Sequence, residues 1–166
     1  MGSWTDQLIQ IVAIKGVSVS TISELSAICV ERNPEESDQR RRIVALITGG
    51  ANVNSSDKNG VTALHHAVRF RLPIAVKVLI DDGSNVNQVC RKSGSTPLHR
   101  AVTSTGAPGT AGKQQEAIEI IRLLIAAGAD PLITNKSGRT PADYVKDEAI
   151  KLLLKPSESV KRPKAS

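Results

Sequence analysis

The amino-acid sequence predicts an all-α fold in which short helix-turn-helix units stack into a solenoid. Three observations lead there. The string Gly50-Ala51-Asn52-Val53-Asn54 returns as Gly83-Ser84-Asn85-Val86-Asn87 and as Gly128-Ala129-Asp130-Pro131-Leu132, and self-similarity on this scale marks stacked units. A threonine follows each glycine, Thr62 and Thr140 by 12 residues and Thr96 by 13, so the period is about 33 residues with one slip. Trp4, Phe70 and Tyr144 are the only aromatic residues. The core must therefore be built from Leu, Ile, Val and Ala, which suits stacked helices better than a large β-sandwich.

Local chemistry accounts for each part of the unit. A threonine hydroxyl caps a helix, Pro97 and Pro141 fit a first helical position, and glycine ends the next helix with positive φ. Two short helices fall between each Thr and Gly. The second of each pair is predicted at Arg42–Ile47, Ala75–Ile80 and Ile120–Ile125, too broadly apolar for an isolated surface helix, so neighbouring units must cover it. Residues 1–32 read as N-terminal capping helices or a degenerate repeat, with helices at 1–16 and 21–32. Thr21 and Glu24 have capping-box spacing, and Asn33-Pro34-Glu35-Glu36 is expected to cap a helix running to Thr48. Residues 33–155 form the repeats, closed by a helix over Asp147–Leu154 and stopped at Lys155-Pro156.

One unit is longer than the others. Thr96 and Gly128 are 32 residues apart where Thr62 and Gly83 are 21 apart. The roughly 11 added residues centre on 104–113, rich in Gly, Ala and Thr, and are expected to form a mobile loop between paired helices. Residues 156–166 read as a disordered basic tail, with Lys161 to Lys164 having the composition of a nuclear import signal.

At 166 residues and 40% hydrophobic content, the chain has the material for one continuous core. Its most apolar early segment, Leu8–Ile14, contains Gln10 and ends at Lys15, too short for a signal sequence or membrane span. Cys29 and Cys90 lack metal-ligand spacing, which leads to the expectation of a reduced, intracellular location, cytoplasmic or nuclear. The net charge of +6 would attract nucleic acid, anionic lipid or an acidic protein without selecting among them.

Gly60-Val61-Thr62-Ala63-Leu64-His65-His66-Ala67 and Gly94-Ser95-Thr96-Pro97-Leu98-His99-Arg100-Ala101 resemble the start of the ankyrin repeat, and the glycine-ended strings resemble its close. The resemblance covers roughly 38–154. It implies an ankyrin-type solenoid with β-turn or hairpin fingers, of about four units including degenerate caps. Three positions depart from the family pattern: Ala63 stands where Pro is usual, Arg71 where Gly turns between helices, and Arg91 where Asp starts the finger.

The resemblance further implies a non-catalytic scaffold or adaptor that binds another protein through finger tips and the exposed face of each first helix. Matched position by position, the contact residues are Ser56, Lys58, Asn59, Val61, Arg69 and Phe70 in one unit. Cys90, Lys92, Ser93, Ser95, Thr103 and Ser104 follow in the next, and Thr134, Lys136, Ser137 and Arg139 continue the row. His66 and Arg71 flank it. Phe70 is either an interface anchor between Arg69 and Arg71 or a filler between helices. The family likeness also makes Asn54 and Asn87, each preceded by Val and by Leu eight residues earlier, candidates for asparaginyl hydroxylation. The alternative is a role in the turn into the finger.

Chemistry of other kinds finds little support. Gly106 to Lys113 has some look of a phosphate-binding loop, but Ala107 replaces the first required glycine and Gln114 follows the lysine. His65 and His99 occupy equivalent places in successive units and are read as structural, with no metal, cofactor or catalytic set. The basic runs Arg40-Arg41-Arg42 and Arg91-Lys92 leave one alternative, a basic module docking to nucleic acid or anionic membrane. The same cations give Cys90, expected on an exposed finger, some thiolate character. The chain alone is expected to be a monomer.

Overall fold

The computed structural model describes residues 20–31, 34–103 and 112–155. The predicted helix at 1–16, Asn33, Ser104, most of the inserted segment and the 156–166 tail lie outside the described residues. Seven α-helices run as α1 (Ser20–Ile28), α2 (Glu36–Thr48), α3 (Ala63–Arg69), α4 (Pro73–Asp81), α5 (Pro97–Val102), α6 (Gln114–Ala126) and α7 (Glu148–Leu153). A 3-10 turn at Pro141–Tyr144 precedes the last. Among the described residues the only β pairing is one antiparallel bridge between Ser56 and Thr62.

The helices form two layers. α1, α3, α5 and the 3-10 turn make one, and α2, α4, α6 and α7 make the other; α1, α3 and α5 touch their pair partners, and consecutive elements touch along each layer. A single apolar cluster runs from Leu25 to Leu154 between them. Its fully buried members include Ile43, Leu64, Leu79, Leu98, Ile120 and Leu124, so α2, α4 and α6 are each covered from the next unit as their apolar patterns require.

The predicted caps are present with informative differences. Thr62 and Thr96 accept from the backbone N–H of His65 and His99, each at 3.4 Å. Pro97 and Pro141 sit in the first turn of their elements. The cap of α2 is Glu35, whose carboxylate accepts from the N–H of Ser37 at 3.2 Å and of Asp38 at 2.8 Å. α1 begins at Ser20, which places Thr21 inside the helix. In the last unit the first helix shrinks to the 3-10 turn, where Asp143 accepts from both the N–H (2.7 Å) and hydroxyl (2.9 Å) of Thr140.

Gly50, Gly83 and Gly128 close the second helices at φ of +95°, +86° and +86°. Arg71, at the position where the pattern has glycine, also adopts positive φ, +57°, a conformation that disfavours a side chain. Its guanidinium shows what it does there. The head is buried and donates at 2.8 Å to the carbonyls of Ala101 and Thr103, and at 3.5 Å to that of Arg100. Those carbonyls end α5, which stops in extended backbone at Thr103 instead of a left-handed glycine. Arg71 therefore caps the next unit's helix at the point where the inserted segment begins.

Candidate partner-binding face

Three turns project from the first layer, and one hydrogen-bond pattern builds them all. In the first, Asp57 donates its N–H to Val61 O at 3.0 Å while Gly60 donates to Asp57 O at 2.9 Å. Cys90 with Ser95 and Gly94 repeats the pattern at 3.0 and 2.8 Å, and Asn135 with Arg139 and Gly138 repeats it at 2.9 Å for both bonds. The middle finger has one more residue than the others, which is the slip seen in the sequence. Cys90 therefore occupies the position of Asp57, a correction to the alignment that set Arg91 there.

Side chains brace the turns from inside. Asp57 Oδ1 accepts from the N–H of Asn59 (2.8 Å) and Val61 (2.9 Å), and Asn135 Oδ1 accepts from those of Ser137 (2.9 Å) and Arg139 (3.2 Å). In the middle finger, Cys90 Sγ and Ser93 Oγ share a 2.9 Å hydrogen bond, and Ser93 Oγ donates to Ser95 Oγ at 2.9 Å.

Successive units are tied together through backbone. Arg91 N–H donates to Asn59 O at 2.6 Å, and Lys136 N–H donates to Ser93 O at 2.9 Å. Close approach of the backbones explains the glycines of the first two fingers: a Cβ on Gly94 would lie 2.8 Å from Lys136 N, and one on Gly60 3.0 Å from Arg91 N. At the finger bases, Asn54 donates Nδ2–H to Gly83 O at 3.0 Å and accepts Asn85 N–H at 2.6 Å. Asn87 does the same with Gly128 O at 3.1 Å and Asp130 N–H at 2.8 Å. Turn formation falls instead to Asn52, Asn85 and Asp130, which accept from the N–H two residues on. Asn54 and Asn87 are stitches between units.

The histidines are also stitches. Nδ1 of His65 and His99 meets its threonine cap at 2.9 Å, and Nε2 meets the next unit's backbone, at Ser95 O (3.3 Å) and Arg139 O (3.0 Å). Burial holds His65 down at about 4, with the nearby Arg100 charge adding to the effect, and burial likewise lowers His66 and His99. Among the described residues no group of three His, Cys, Asp or Glu is placed to hold a metal ion.

The expected contact residues divide by exposure. Lys58, Asn59, Arg69, Lys92, Ser93, Thr134, Lys136, Ser137 and Arg139 are exposed, and Ser56, Val61, His66, Phe70, Ser95 and Thr103 are half-buried. Two are buried, against the expectation that set them on the contact surface. Arg71 is spent on carbonyls, and Cys90 is buried inside its finger at 2% exposure. The Cys90 thiol is nonetheless held down to about 7: burial raises it, but hydrogen bonds from Ser93, Ser95 and Arg100 outweigh that. Cys29, buried near Glu31, is pushed up to about 12. Phe70 follows the last residue of α3 and packs against the core while keeping part of its ring open. Arg91, exposed at the second finger, belongs to the row although the family-based matching passed over it; the Arg91-Lys92 charge run was the available signal.

An open row of turns on stacked helix pairs defines a repeat solenoid, a class that offers a long surface instead of a closed pocket. Residues 35–135 match the family model for ankyrin repeats, in three copies, and the chain belongs to the ankyrin repeat family. It is 32% identical to mouse Rabankyrin-5 over 96 residues, which cover 58% of this chain and 8% of that protein. It is 38% identical to the mouse B-cell lymphoma 3 protein homolog over 100 residues, 58% of this chain and 20% of that protein. The chain thus spans a small part of these relatives. The crystal structure of the ankyrin repeat domain of Bcl-3 superposes with a TM-score of 0.64 at 24% identity, covering 85% of this chain and 57% of that one, which establishes the fold. Ankyrin repeats generally mediate protein–protein interaction and are a non-enzymatic module.

Proposed function

We propose that this chain is a non-catalytic scaffold or adaptor that binds a partner protein through its finger tips and the exposed residues of the first helices. One observation carries the reading: the backbones of adjacent fingers are bonded to each other at Asn59–Arg91 and Ser93–Lys136, while the side chains of Lys58, Lys92, Lys136 and Ser137 are left exposed. A surface whose backbone is already ordered loses little entropy on binding, and variable side chains on it set specificity. The module acts as a monomer inside the cell, in keeping with its two free thiols.

Photo-crosslinking tests this. A crosslinking amino acid at Asn59, Ser93 or Ser137 is expected to trap a discrete protein in the source cell, and one at Lys77 or Glu119, on the second layer, is not. Trapping from the second layer alone would refute the assignment of the face.

A further inference from the structure

Charge is segregated between the two layers. Segments 55–70, 88–103 and 133–146, which hold the fingers and first helices, contain eight Lys and Arg but only two carboxylates, Asp57 and Asp143. Both carboxylates are engaged, Asp57 by the N–H groups of its own turn and Asp143 by Thr140. The second-layer helices α2, α4, α6 and α7 carry six basic and six acidic residues.

Ion pairing follows the same division. Every salt bridge among the described residues involves a second-layer helix: Arg41 with Asp38, Arg42 with Glu31 and Asp38, Lys77 with Asp81, and Lys151 with Glu148. The side chains of Lys58, Arg69, Arg91, Lys92 and Lys136 are exposed and have no carboxylate within pairing distance among the described residues. Like charges gathered on one face raise its potential and select a partner of opposite sign.

The geometry points to the chemistry of that partner: the finger row docks an extended acidic segment of another protein. This deepens the protein-binding reading and rests on it. Stacked helices set successive units about 8–10 Å apart, and an extended chain rises about 3.3 Å per residue. A strand laid across the row therefore brings every third residue to a new finger, where Lys58, Arg91 with Lys92, and Lys136 wait in turn. A peptide with Asp or Glu at every third position matches the row; the bonded finger backbones keep the row from spreading to suit another spacing.

Selection from a random peptide library on the full chain tests the proposal, followed by a synthetic peptide pair carrying Glu or Gln at every third position. Selected peptides are expected to be enriched in Asp and Glu at that spacing. The Glu peptide is expected to bind at least about tenfold more tightly than the Gln peptide at physiological salt, in the range of close charge pairs. Lys58→Glu, Lys92→Glu and Lys136→Glu together remove that preference while the melting temperature holds. The corresponding Gln set gives an intermediate loss. Selected peptides that lack acidic residues yet lose affinity with these variants would overturn the acidic partner and leave protein binding standing. Peptides indifferent to every finger variant would overturn both. A mixed-sequence DNA duplex that binds more tightly than the Glu peptide, and loses affinity with the same substitutions, would overturn the proposal in favour of nucleic acid.

Discussion

Arg71 and His65 show how single residues hold units together in this chain. Arg71 sits in a conformation that favours glycine, and its guanidinium holds the carbonyls that end α5. Arg71→Gly relaxes the backbone but orphans those carbonyls. Bonds to a charged donor outweigh one residue's positive φ, so the variant is expected to lose about 2 kcal/mol in denaturant titration. A gain in stability would show the strain to be the larger effect. His65 is buried neutral between units, with its folded-state value depressed to about 4. Its contribution is fully present above the unfolded value near 6.5 and is lost as pH falls toward 4. Thermal melts are expected to fall across that window, and the His65→Gln variant is expected to show a shallower decline. Phe70 packs on the core while part of its ring stays open. Phe70→Ala is therefore expected to lower the melting temperature as well as weaken partner binding, the latter by roughly 2 kcal/mol. Neither role was separable in the sequence, because a lone aromatic beside two arginines is equally an anchor and a filler.

At the scale of elements, the fingers decide what the molecule can do. Gly94 and Gly128 both have positive φ, but a Cβ on Gly94 meets Lys136 N at 2.8 Å while one on Gly128 meets nothing within 4 Å. Gly128→Ala should lose only the conformational penalty, about 1 kcal/mol. Gly94→Ala should lose more, because the third finger must move off the second. Equal losses would mean the fingers are not held against one another. Helix starts and ends were legible in the sequence, since Thr, Pro and Gly act within one turn of their own positions. The bonds between units were legible only in part. The two histidines announced themselves by equivalent placement in two units. The stitching by Asn54 and Asn87 did not, because a turn former and an inter-unit bridge use the same residue type and the partner is a distant backbone carbonyl. Arg71 was visible only as a missing glycine, its purpose depending on how α5 ends 30 residues later.

Across the whole molecule, the period of the sequence foretold the two layers and the continuous core, because each apolar second helix has a use only if a neighbour covers it. Exposure at the candidate face followed less directly. The family's contact pattern placed Cys90 on the surface and Arg71 was set beside it as a flank of Phe70, but both side chains are buried and hydrogen-bonded within the fold. The charge division between layers emerges only when the fold assigns residues to faces. The account as a whole depends on fingers that are rigid before any partner arrives, and amide hydrogen exchange in the free protein measures that directly. Among the described residues, the N–H groups of Arg91 and Lys136 have as acceptors only the carbonyls of Asn59 and Ser93 in the preceding fingers. They are expected to exchange far more slowly than the exposed Lys92 N–H beside them, and Gly94→Ala is expected to remove the protection at Lys136. Exchange at Arg91 and Lys136 as fast as at Lys92 would show the fingers to be independent loops and contradict the account.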